Sequence, residues 1–261
     1  MQIVRVQDTD GRILYGRRQE DKVLRIEGSL WDEEGFLITD ETVEVAELLA
    51  PITPPNIFAI GKNYRAHARE MGAEAPADPV VFLKATTCLL DPGAPILLPS
   101  CSQEIDYEGE LAVVIGRETR DASVEQAMAN VFGYTCANDV TARDWQKRLG
   151  QWARAKSFDT FCPLGPWIET QLPHPQAATL TTRVNGQIVQ QANTADMIFS
   201  IAQLISFLSQ DLTLLAGTVI LTGTPEGVGM GRTPPLWLKE GDQVSVEIEG
   251  IGALINPVAG G

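Results

Sequence analysis

The amino-acid sequence predicts a β-rich α+β fold, in which a small N-terminal β module precedes a larger second domain. Short apolar runs rich in β-branched residues recur along the chain and are separated by turn residues, which is the pattern of strands. Helical patterns are few, and the main one is the apolar stripe of residues 193–210, which predicts an amphipathic core helix. A proline cluster at positions 51–55 marks a boundary, so we divide the chain into residues 1–52 and 53–261.

The composition argues against several classes of partner. With 261 residues, 44% of them hydrophobic and 21% charged, the chain is suited to burying a substantial core. Its net charge of −14, from 34 acidic and 20 basic residues, would repel a phosphate backbone, so we expect no nucleic acid as partner. No apolar run approaches the roughly 20 residues that span a bilayer, and the N-terminus lacks the layout of a secretory signal. We therefore expect a cytoplasmic protein that does not bind membranes.

Cysteine and histidine usage restricts the candidate chemistry. The four cysteines are scattered without a Cys-x-x-Cys pair, so neither a zinc knuckle nor a disulfide framework is predicted. Of the two histidines, His174 lies between prolines in a predicted surface loop, which leaves His67 as the candidate histidine base. A metal site would have to be built mostly from carboxylates, which favours hard ions such as Mg²⁺ or Mn²⁺.

Residues 106–116, Asp-Tyr-Glu-Gly-Glu-Leu-Ala-Val-Val-Ile-Gly, form the most informative stretch. The continuous apolar run predicts a strand that is covered on both faces. Glu108 and Glu110 lie two residues apart at its start, so their side chains point to the same side. Two carboxylates about 7 Å apart repel each other by roughly 2 kcal/mol at an effective dielectric constant near 20, so a buried pair is expected to hold a cation. The spacing alone fits two solvated glutamates at a half-buried strand end equally well.

A short helix is predicted between Asn63 as its N-cap and Gly72 as its stop. It carries His67 and Glu70, which are three residues apart and therefore share a face. A carboxylate beside an imidazole fixes the tautomer and raises the basicity of the ring, which suits a general base. A solvated ion pair on a helix surface explains the same spacing, and these two residues taken alone favour that interpretation.

A second buried strand is predicted at residues 131–137, and Asp139 follows it on a turn between strand and helix. Thr141 and Asp144 have the spacing of a capping box for that helix, which gives Asp144 a structural role. Because Asp139 needs no such role, it is the candidate for a third carboxylate.

Polar residues in the next segments are candidates for binding a ligand. Arg143 and Gln146 lie three residues apart on one face of the predicted helix, whose N-terminal partial positive charge suits an anionic substrate. Lys156 lies in an aromatic-rich loop, where it is either partly desolvated and reactive or simply exposed. The glycine-rich loop 222–231 matches neither phosphate-binding fingerprint, so we expect Thr224 and backbone amides to approach a small ligand there.

Several motifs together resemble the fumarylacetoacetate hydrolase family, and the resemblance covers about residues 53–258 in matching order. These motifs are Gly61-Lys-Asn-Tyr-Arg-Ala-His-Ala-Arg-Glu, Asp106-Tyr-Glu-Gly-Glu-Leu-Ala-Val-Val-Ile-Gly, Asn138-Asp-Val-Thr-Ala-Arg-Asp, Lys156-Ser-Phe-Asp, Val184-Asn-Gly and Leu221-Thr-Gly-Thr-Pro-Glu-Gly-Val-Gly. The layout is similar to the smaller acylpyruvase and oxaloacetate decarboxylase types of member, since the N-terminal segment is short.

The resemblance implies a mixed β-sandwich roll, a homodimer, and Mg²⁺ or Mn²⁺ held by Glu108, Glu110 and Asp139. It implies that His67 and Glu70 form a catalytic dyad on a lid that orders when substrate binds. The other matching positions are Lys156 for the family's catalytic lysine, and Arg143, Gln146 and Thr224 for residues that hold the oxo-acid end of the substrate.

These parts predict an enzyme that acts on a small anionic 2-oxo acid through a metal-stabilised enolate. We expect hydrolysis of a carbon–carbon bond in an acylpyruvate-type substrate, with His67 activating water and Lys156 stabilising negative charge. Decarboxylation of oxaloacetate and its keto–enol tautomerisation pass through the same enolate, so both remain alternatives. A catalytically silent protein that binds an oxo acid or a partner protein is a further alternative, although such a binder has no use for a base.

Overall fold

Strands dominate the computed structural model, which describes residues 1–32 and 34–261. These residues form nineteen β-strands and five short α-helices, which confirms the predicted β-rich α+β class. Within the same ranges, no helix combines the length and the apolar character that crossing a bilayer requires.

The N-terminal segment consists of strands joined by tight turns. Its strands are β1 (Gln2–Asp8), β2 (Ile13–Gln19), β3 (Lys22–Gly28), β4 (Phe36–Thr42) and β5 (Val45–Leu49). The turn between the first two strands is organised by Asp8, whose carboxylate accepts hydrogen bonds from the backbone N–H groups of Asp10 and Arg12. This is the hairpin that the Asp-Thr-Asp-Gly sequence indicates.

The remaining chain alternates strands with short helices. Its first half contains β6 (Ile57–Gly61), α1 (Arg65–Glu70), β7 (Val80–Lys84), β8 (Leu89–Leu90), β9 (Ile96–Leu98), β10 (Ile105–Asp106), β11 (Gly109–Ile115), α2 (Val124–Ala127), β12 (Val131–Asn138), β13 (Thr141–Ala142), α3 (Arg143–Leu149) and α4 (Trp152–Ala155). Its second half contains β14 (Cys162–Glu169), β15 (Thr179–Val184), β16 (Gln187–Asn193), α5 (Ile201–Ser209), β17 (Val219–Leu221), β18 (Gln243–Ile248) and β19 (Gly252–Gly260).

Most strands belong to two mixed sheets. The larger sheet has twelve strands in the order β4-β3-β2-β1-β14-β12-β11-β17-β6-β7, with β5 also paired to β1 and β8 to β14. The smaller sheet has the order β16-β15-β18-β19-β9. The N-terminal strands join the larger sheet because β1 pairs antiparallel with β14, where Ile3 lies opposite Ile168. The division of the chain at residue 52 stays a prediction.

Strand β11 is buried on both faces, as its apolar run predicts. Leu111, Val113 and Ile115 contribute to one hydrophobic cluster, whereas Ala112 and Val114 contribute to another. All seven residues of the strand are buried. Two apolar layers therefore cover the strand whose first residues belong to the candidate site.

The amphipathic stripe predicted over residues 193–210 forms a shorter helix, α5. The helix begins after Ser200, whose hydroxyl accepts a hydrogen bond from the Gln203 N–H while the Gln203 side chain accepts one from the Ser200 N–H. This capping box explains the late start of the helix. Ile201, Leu204 and Ile205 point into the core, as the stripe predicts.

Candidate active site

Three carboxylates meet where β11 begins and β12 ends. The two strands pair antiparallel with Gly109 opposite Asn138, so Glu108 and Asp139 are also neighbours, and the Asp139 N–H donates to the Glu108 carbonyl over 2.8 Å. Glu110 lies two residues along β11 on the same side. One carboxylate oxygen from each acid lies within 4.8 Å of the others, and all three residues are buried. The sheet register thus assembles the cluster from residues distant in sequence.

Buried cations surround two of these acids. The Nζ atom of Lys156 lies 2.6 Å from Oε2 of Glu108 and 2.6 Å from Oδ2 of Asp139. Lys84 Nζ lies 2.6 Å from the other oxygen of Asp139, and Arg143 Nη2 lies 2.6 Å from the other oxygen of Glu108. Lys156 is only 2% exposed, so of the two environments that the sequence left open the structure has the desolvated one.

Glu110 differs electrostatically from Glu108. Burial works to raise the pKa of Glu108, but the charges of Lys156 and Arg143 outweigh it and lower the pKa to about 2. Burial and the charges of Asp139 and Glu108 raise the pKa of Glu110 well above its ordinary value of 4.5. The Gly223 N–H donates a 2.7 Å hydrogen bond to Glu110 Oε2, but an amide does not replace a cation.

The three carboxylates fit a divalent ion. Oxygen atoms that share one ion at about 2.0–2.6 Å lie at most roughly 5 Å from one another, which the separation of 4.8 Å satisfies. All the donors are hard oxygens, which suit Mg²⁺ or Mn²⁺ better than zinc or copper. A cation here would also compensate the charge of Glu110, the one member of the cluster that lacks a basic partner among residues 1–32 and 34–261.

Helix α1 presents His67 to the same cavity, with Glu70 behind it. The Nδ1 atom of His67 lies 3.1 Å from Oε2 of Glu70, and both side chains are largely shielded from solvent. The other oxygen of Glu70 accepts a 2.9 Å hydrogen bond from the Gly227 N–H. The pair is therefore not the solvated surface pair that its spacing alone favours, because tertiary packing encloses it.

The predicted N-cap of this helix is not formed. Helix α1 begins at Arg65, and the Asn63 side chain instead donates to the Thr222 carbonyl over 2.8 Å and accepts from the Phe199 N–H over 2.8 Å. Asn63 thus ties the helix entry to the glycine-rich loop. Such contacts between distant segments compete successfully with a local cap.

Arg143 is the first residue of α3 and is held on three sides. Its Nε lies 2.8 Å from Oδ2 of Asp106, its Nη1 lies 3.0 Å from Oε1 of Gln146, and its Nη2 contacts Glu108 as above. Burial works against the charge, but the carboxylates of Glu108 and Asp106 raise the pKa of Arg143 above its ordinary value of 12.5. Arg143 and Gln146 both line the cavity, so the predicted pair does form.

The capping box predicted for α3 is wrong. Thr141 lies in β13 and its hydroxyl donates to the Asp139 carbonyl over 2.9 Å. The Asp144 carboxylate accepts hydrogen bonds from the Ser102 hydroxyl and the Gln103 N–H. The pairing of β13 with β10 extends the chain through Thr141 and so removes the local geometry that a cap needs.

The glycine-rich loop closes another side of the cavity. The Thr224 hydroxyl donates to the Gly109 carbonyl over 3.0 Å and accepts from Gln190 Nε2 over 2.8 Å. This fixes Thr224 beside the carboxylate cluster. Eight of the nine candidate residues line the cavity, and Glu70 is the exception. The full lining is Ile60, Gly61, Lys62, His67, Met71, Phe82, Glu108, Glu110, Asp139, Arg143, Gln146, Lys147, Trp152, Lys156 and Thr224.

Sequence reasoning missed two buried charged residues of the site. Lys84 at the end of β7 binds Asp139 and also donates to the Lys156 carbonyl. Asp106 holds Arg143 and accepts hydrogen bonds from the backbone N–H groups of Gly229 and Met230. The sequence did contain one signal for Lys84: it is a charged residue directly at the end of an apolar strand run.

Comparison with known proteins identifies the family. Residues 56–259 match the family described as Fumarylacetoacetate (FAA) hydrolase C-terminal. The chain belongs to the fumarylacetoacetate hydrolase family. Residues 1–51 match a second family, described as Rv2993c-like, N-terminal. Membership of the fumarylacetoacetate hydrolase family confirms the resemblance seen in the motifs, and enzymes of this family commonly use divalent metals.

Three similar proteins illustrate the family, and two of them are named as enzymes. An uncharacterized protein of Archaeoglobus fulgidus is 46% identical over 246 residues, which cover 94% of this chain and 94% of that protein. Oxaloacetate tautomerase Fahd2a, mitochondrial, of Rattus norvegicus is 46% identical over 214 residues, which cover 80% of this chain and 68% of that protein. The crystal structure of 5-carboxymethyl-2-hydroxymuconate delta-isomerase from Mycobacterium smegmatis has a TM-score of 0.88 at 41% identity, covering 100% of both chains. The chain is thus a member of an enzyme family.

Proposed function

We propose that the protein is a tautomerase that interconverts the keto and enol forms of an oxaloacetate-type 2-oxo acid with Mg²⁺ or Mn²⁺. The observation that carries this proposal is the His67–Glu70 dyad, at 3.1 Å, on a cavity that also contains three buried carboxylates. The similarity to an oxaloacetate tautomerase and to a delta-isomerase supports the same class of reaction. Both reactions move a proton and add no water.

The dyad has the arrangement of a general base. Because Nδ1 of His67 is engaged by Glu70, Nε2 is the nitrogen left to take a proton from C3 of the keto form. The Glu70 carboxylate stabilises the imidazolium that results, and the Gly227 N–H holds that carboxylate in place. His67 takes a proton from C3, the Lys156 ammonium delivers one to O2, and proton exchange with solvent returns both groups to their starting states, so the substrate has no net change in atoms.

The remaining residues act on the 2-oxo end of the substrate. Lys156 Nζ has three N–H groups, two of which face Glu108 and Asp139, so the third is available to donate to O2. When bound at the three carboxylates, Mg²⁺ or Mn²⁺ supplies Lewis-acid stabilisation of negative charge on the 2-oxo group. Arg143 adds positive charge beside this end and thereby favours an anionic substrate.

Hydrolysis of an acylpyruvate is the second candidate, and the same dyad favours it. A histidine held by a carboxylate can take a proton from water as well as from C3, which is what carbon–carbon hydrolysis requires. Decarboxylation of oxaloacetate needs no base, so a buried dyad gives it less support. The homodimer and the cytoplasmic location expected from the sequence stay predictions.

The test assays three substrates with Mg²⁺ or Mn²⁺ in the unaltered protein: the enol form of oxaloacetate, oxaloacetate itself and acetylpyruvate. We expect the enol form of oxaloacetate to convert to the keto form faster than in buffer, and His67→Gln to lose most of that rate. His174→Gln provides the matched control, because His174 is exposed and lies outside the cavity. Cleavage of acetylpyruvate without tautomerisation would establish the hydrolase instead, and release of carbon dioxide alone would establish the decarboxylase.

A further inference from the structure

Four lysine and arginine side chains line the cavity, and three of them are already paired with acids. Lys156 and Arg143 contact the carboxylate cluster, and Lys147 Nζ lies 2.8 Å from Oε2 of Glu104. Lys62 is the fourth, and none of the residues in ranges 1–32 and 34–261 places a carboxylate within ion-pair distance of it. A lysine on the wall of a site for an anionic substrate, with its own charge unpaired, is available to that substrate.

The backbone holds Lys62 in an uncommon conformation. Its φ of +56° lies in the left-handed region, which residues other than glycine and asparagine rarely adopt. On one side, Asn63 is anchored to Thr222 and Phe199 by its side chain. On the other side, Gly61 packs so closely on Trp152 that an added Cβ would lie 2.2 Å from the indole ring. The anchored neighbours on both sides thus hold Lys62 in this conformation at the cavity.

Apolar side chains also line the cavity and would accept an uncharged group. Phe82 and Trp152 contact each other with ring centroids 5.4 Å apart, and Met71 lines the same cavity. These apolar side chains suit a methyl or aryl substituent on a 2-oxo acid, whereas the ammonium of Lys62 suits a carboxylate. The cavity therefore offers a substrate both apolar contacts and an ammonium group.

We propose that Lys62 binds the distal carboxylate of the substrate and makes the enzyme select 2-oxo dicarboxylic acids over 2-oxo acids with an uncharged end. This inference rests on the proposed function, because it assumes that the 2-oxo end binds at the carboxylate cluster. Lys62 is half-buried, so its stem lies against the protein and its charge is less screened than that of a fully exposed lysine. It acts on substrate choice and has no part in moving the proton.

The test compares oxaloacetate with its 4-ethyl ester, which has the same skeleton without the distal charge. We expect Lys62→Met to raise KM for oxaloacetate about tenfold and to change kcat less than twofold, because a single desolvated ion pair is lost. The KM for the ester should stay the same. Lys62→Arg keeps the charge and should keep the selectivity for oxaloacetate over the ester. Lys62→Asn removes the charge but tolerates the left-handed backbone, and it should lose this selectivity. Lys22→Met, at an exposed position on β3, is the matched control.

The outcomes separate the inference from the proposed function. Equal changes in KM for the acid and the ester in Lys62→Met, or a selectivity that Lys62→Asn retains in full, would overturn the role of Lys62 and leave the tautomerase intact. If the unaltered protein turns over neither substrate, the proposed function fails and this inference fails with it. Thermal unfolding of each variant shows whether a loss of fold contributes, and Lys62→Asn carries the test if Lys62→Met is unstable.

Discussion

The carboxylate of Glu70 joins two separate segments of the site. One oxygen lies 3.1 Å from Nδ1 of His67, and the other accepts a 2.9 Å hydrogen bond from the N–H of Gly227. A Cβ at Gly231 would lie 2.5 Å from the same carboxylate, so the loop packs directly against the end of the Glu70 side chain. The position of the candidate base thus depends on a loop about 160 residues away in the chain, as expected when a site is assembled by tertiary contacts.

Glu70→Gln should lower kcat more than it changes KM. Glutamine keeps the shape and one acceptor, but it removes the negative charge that stabilises the imidazolium of His67. We expect a loss of about 10- to 100-fold in kcat, which is no more than the 10²- to 10⁴-fold that a general base contributes as a whole. The exposed Glu74→Gln on the following segment is the matched control. A loss confined to KM would contradict a role in proton transfer.

Glu110→Gln should separate metal binding from the stability of the metal-free protein. The change removes one of three buried like charges, so we expect the melting temperature in EDTA to stay the same or to rise. Added Mn²⁺ should raise the melting temperature of the unaltered protein, because a ligand that binds only the folded state stabilises it. The variant should gain much less.

Differential scanning fluorimetry with and without Mn²⁺ measures both effects. Glu47→Gln, at an exposed position on β5, is the control and should respond to Mn²⁺ as the unaltered chain does. An equal gain in Glu110→Gln and in the unaltered protein would show that Glu110 is no ligand. Equal catalytic activity before and after EDTA treatment would remove the metal from the proposed function altogether.

Asp106→Ala should destabilise the fold. The substitution removes a buried partner of Arg143 and leaves the backbone N–H groups of Gly229 and Met230 without their acceptor. Breaking a buried ion pair from one side costs about 3–5 kcal/mol. Urea unfolding measures the loss, and the exposed Asp21→Ala should change the free energy of unfolding by no more than about 0.5 kcal/mol. A loss below about 1 kcal/mol for Asp106→Ala would contradict this role.

Asp144 should make stability depend on pH in the acid range. Burial works to raise the pKa of Asp144, but hydrogen bonds from the Ser102 hydroxyl and the Gln103 and Trp145 N–H groups lower it below the ordinary value of 3.8. Because the folded-state pKa lies below that of the unfolded chain, the stabilisation is complete above about pH 4 and is lost as the pH falls through the folded-state value.

Asp144→Asn should therefore lower the free energy of unfolding at pH 7 by about 1–3 kcal/mol, and the difference from the unaltered protein should shrink below about pH 4. Urea unfolding at a series of pH values between neutral and pH 3 measures this. Asp159→Asn, at an exposed position, should leave the pH dependence unchanged. A difference that grows as the pH falls would contradict the sign of the shift.

Local periodicity was enough to predict several parts of the site. Glu108 and Glu110 share a side because side chains alternate along any strand, and the apolar run after them is buried on both faces in the structure. His67 and Glu70 share a face because three residues make nearly one turn of any helix. These features depend on neighbours in the sequence, so the pattern of residue types is sufficient to predict them.

Only the tertiary structure decided which charges meet. Lys84 and Asp139 are 55 residues apart, and Lys156 and Glu108 are 48 apart, yet both pairs are at 2.6 Å. The register of β11 against β12 and the loop that carries Lys156 bring these residues together, and a sequence pattern contains neither. By itself, the sequence determined the strands, the short helix that carries His67 and Glu70, the acidic residue types of the candidate site and the family motifs. Contacts between distant segments decided three further features: the shielding of His67 and Glu70 from solvent, the ion pairs of Lys84 and Asp106, and the lack of an acidic partner for Lys62 among residues 1–32 and 34–261. The reason is that burial and ion pairing are set by which residues the fold brings close.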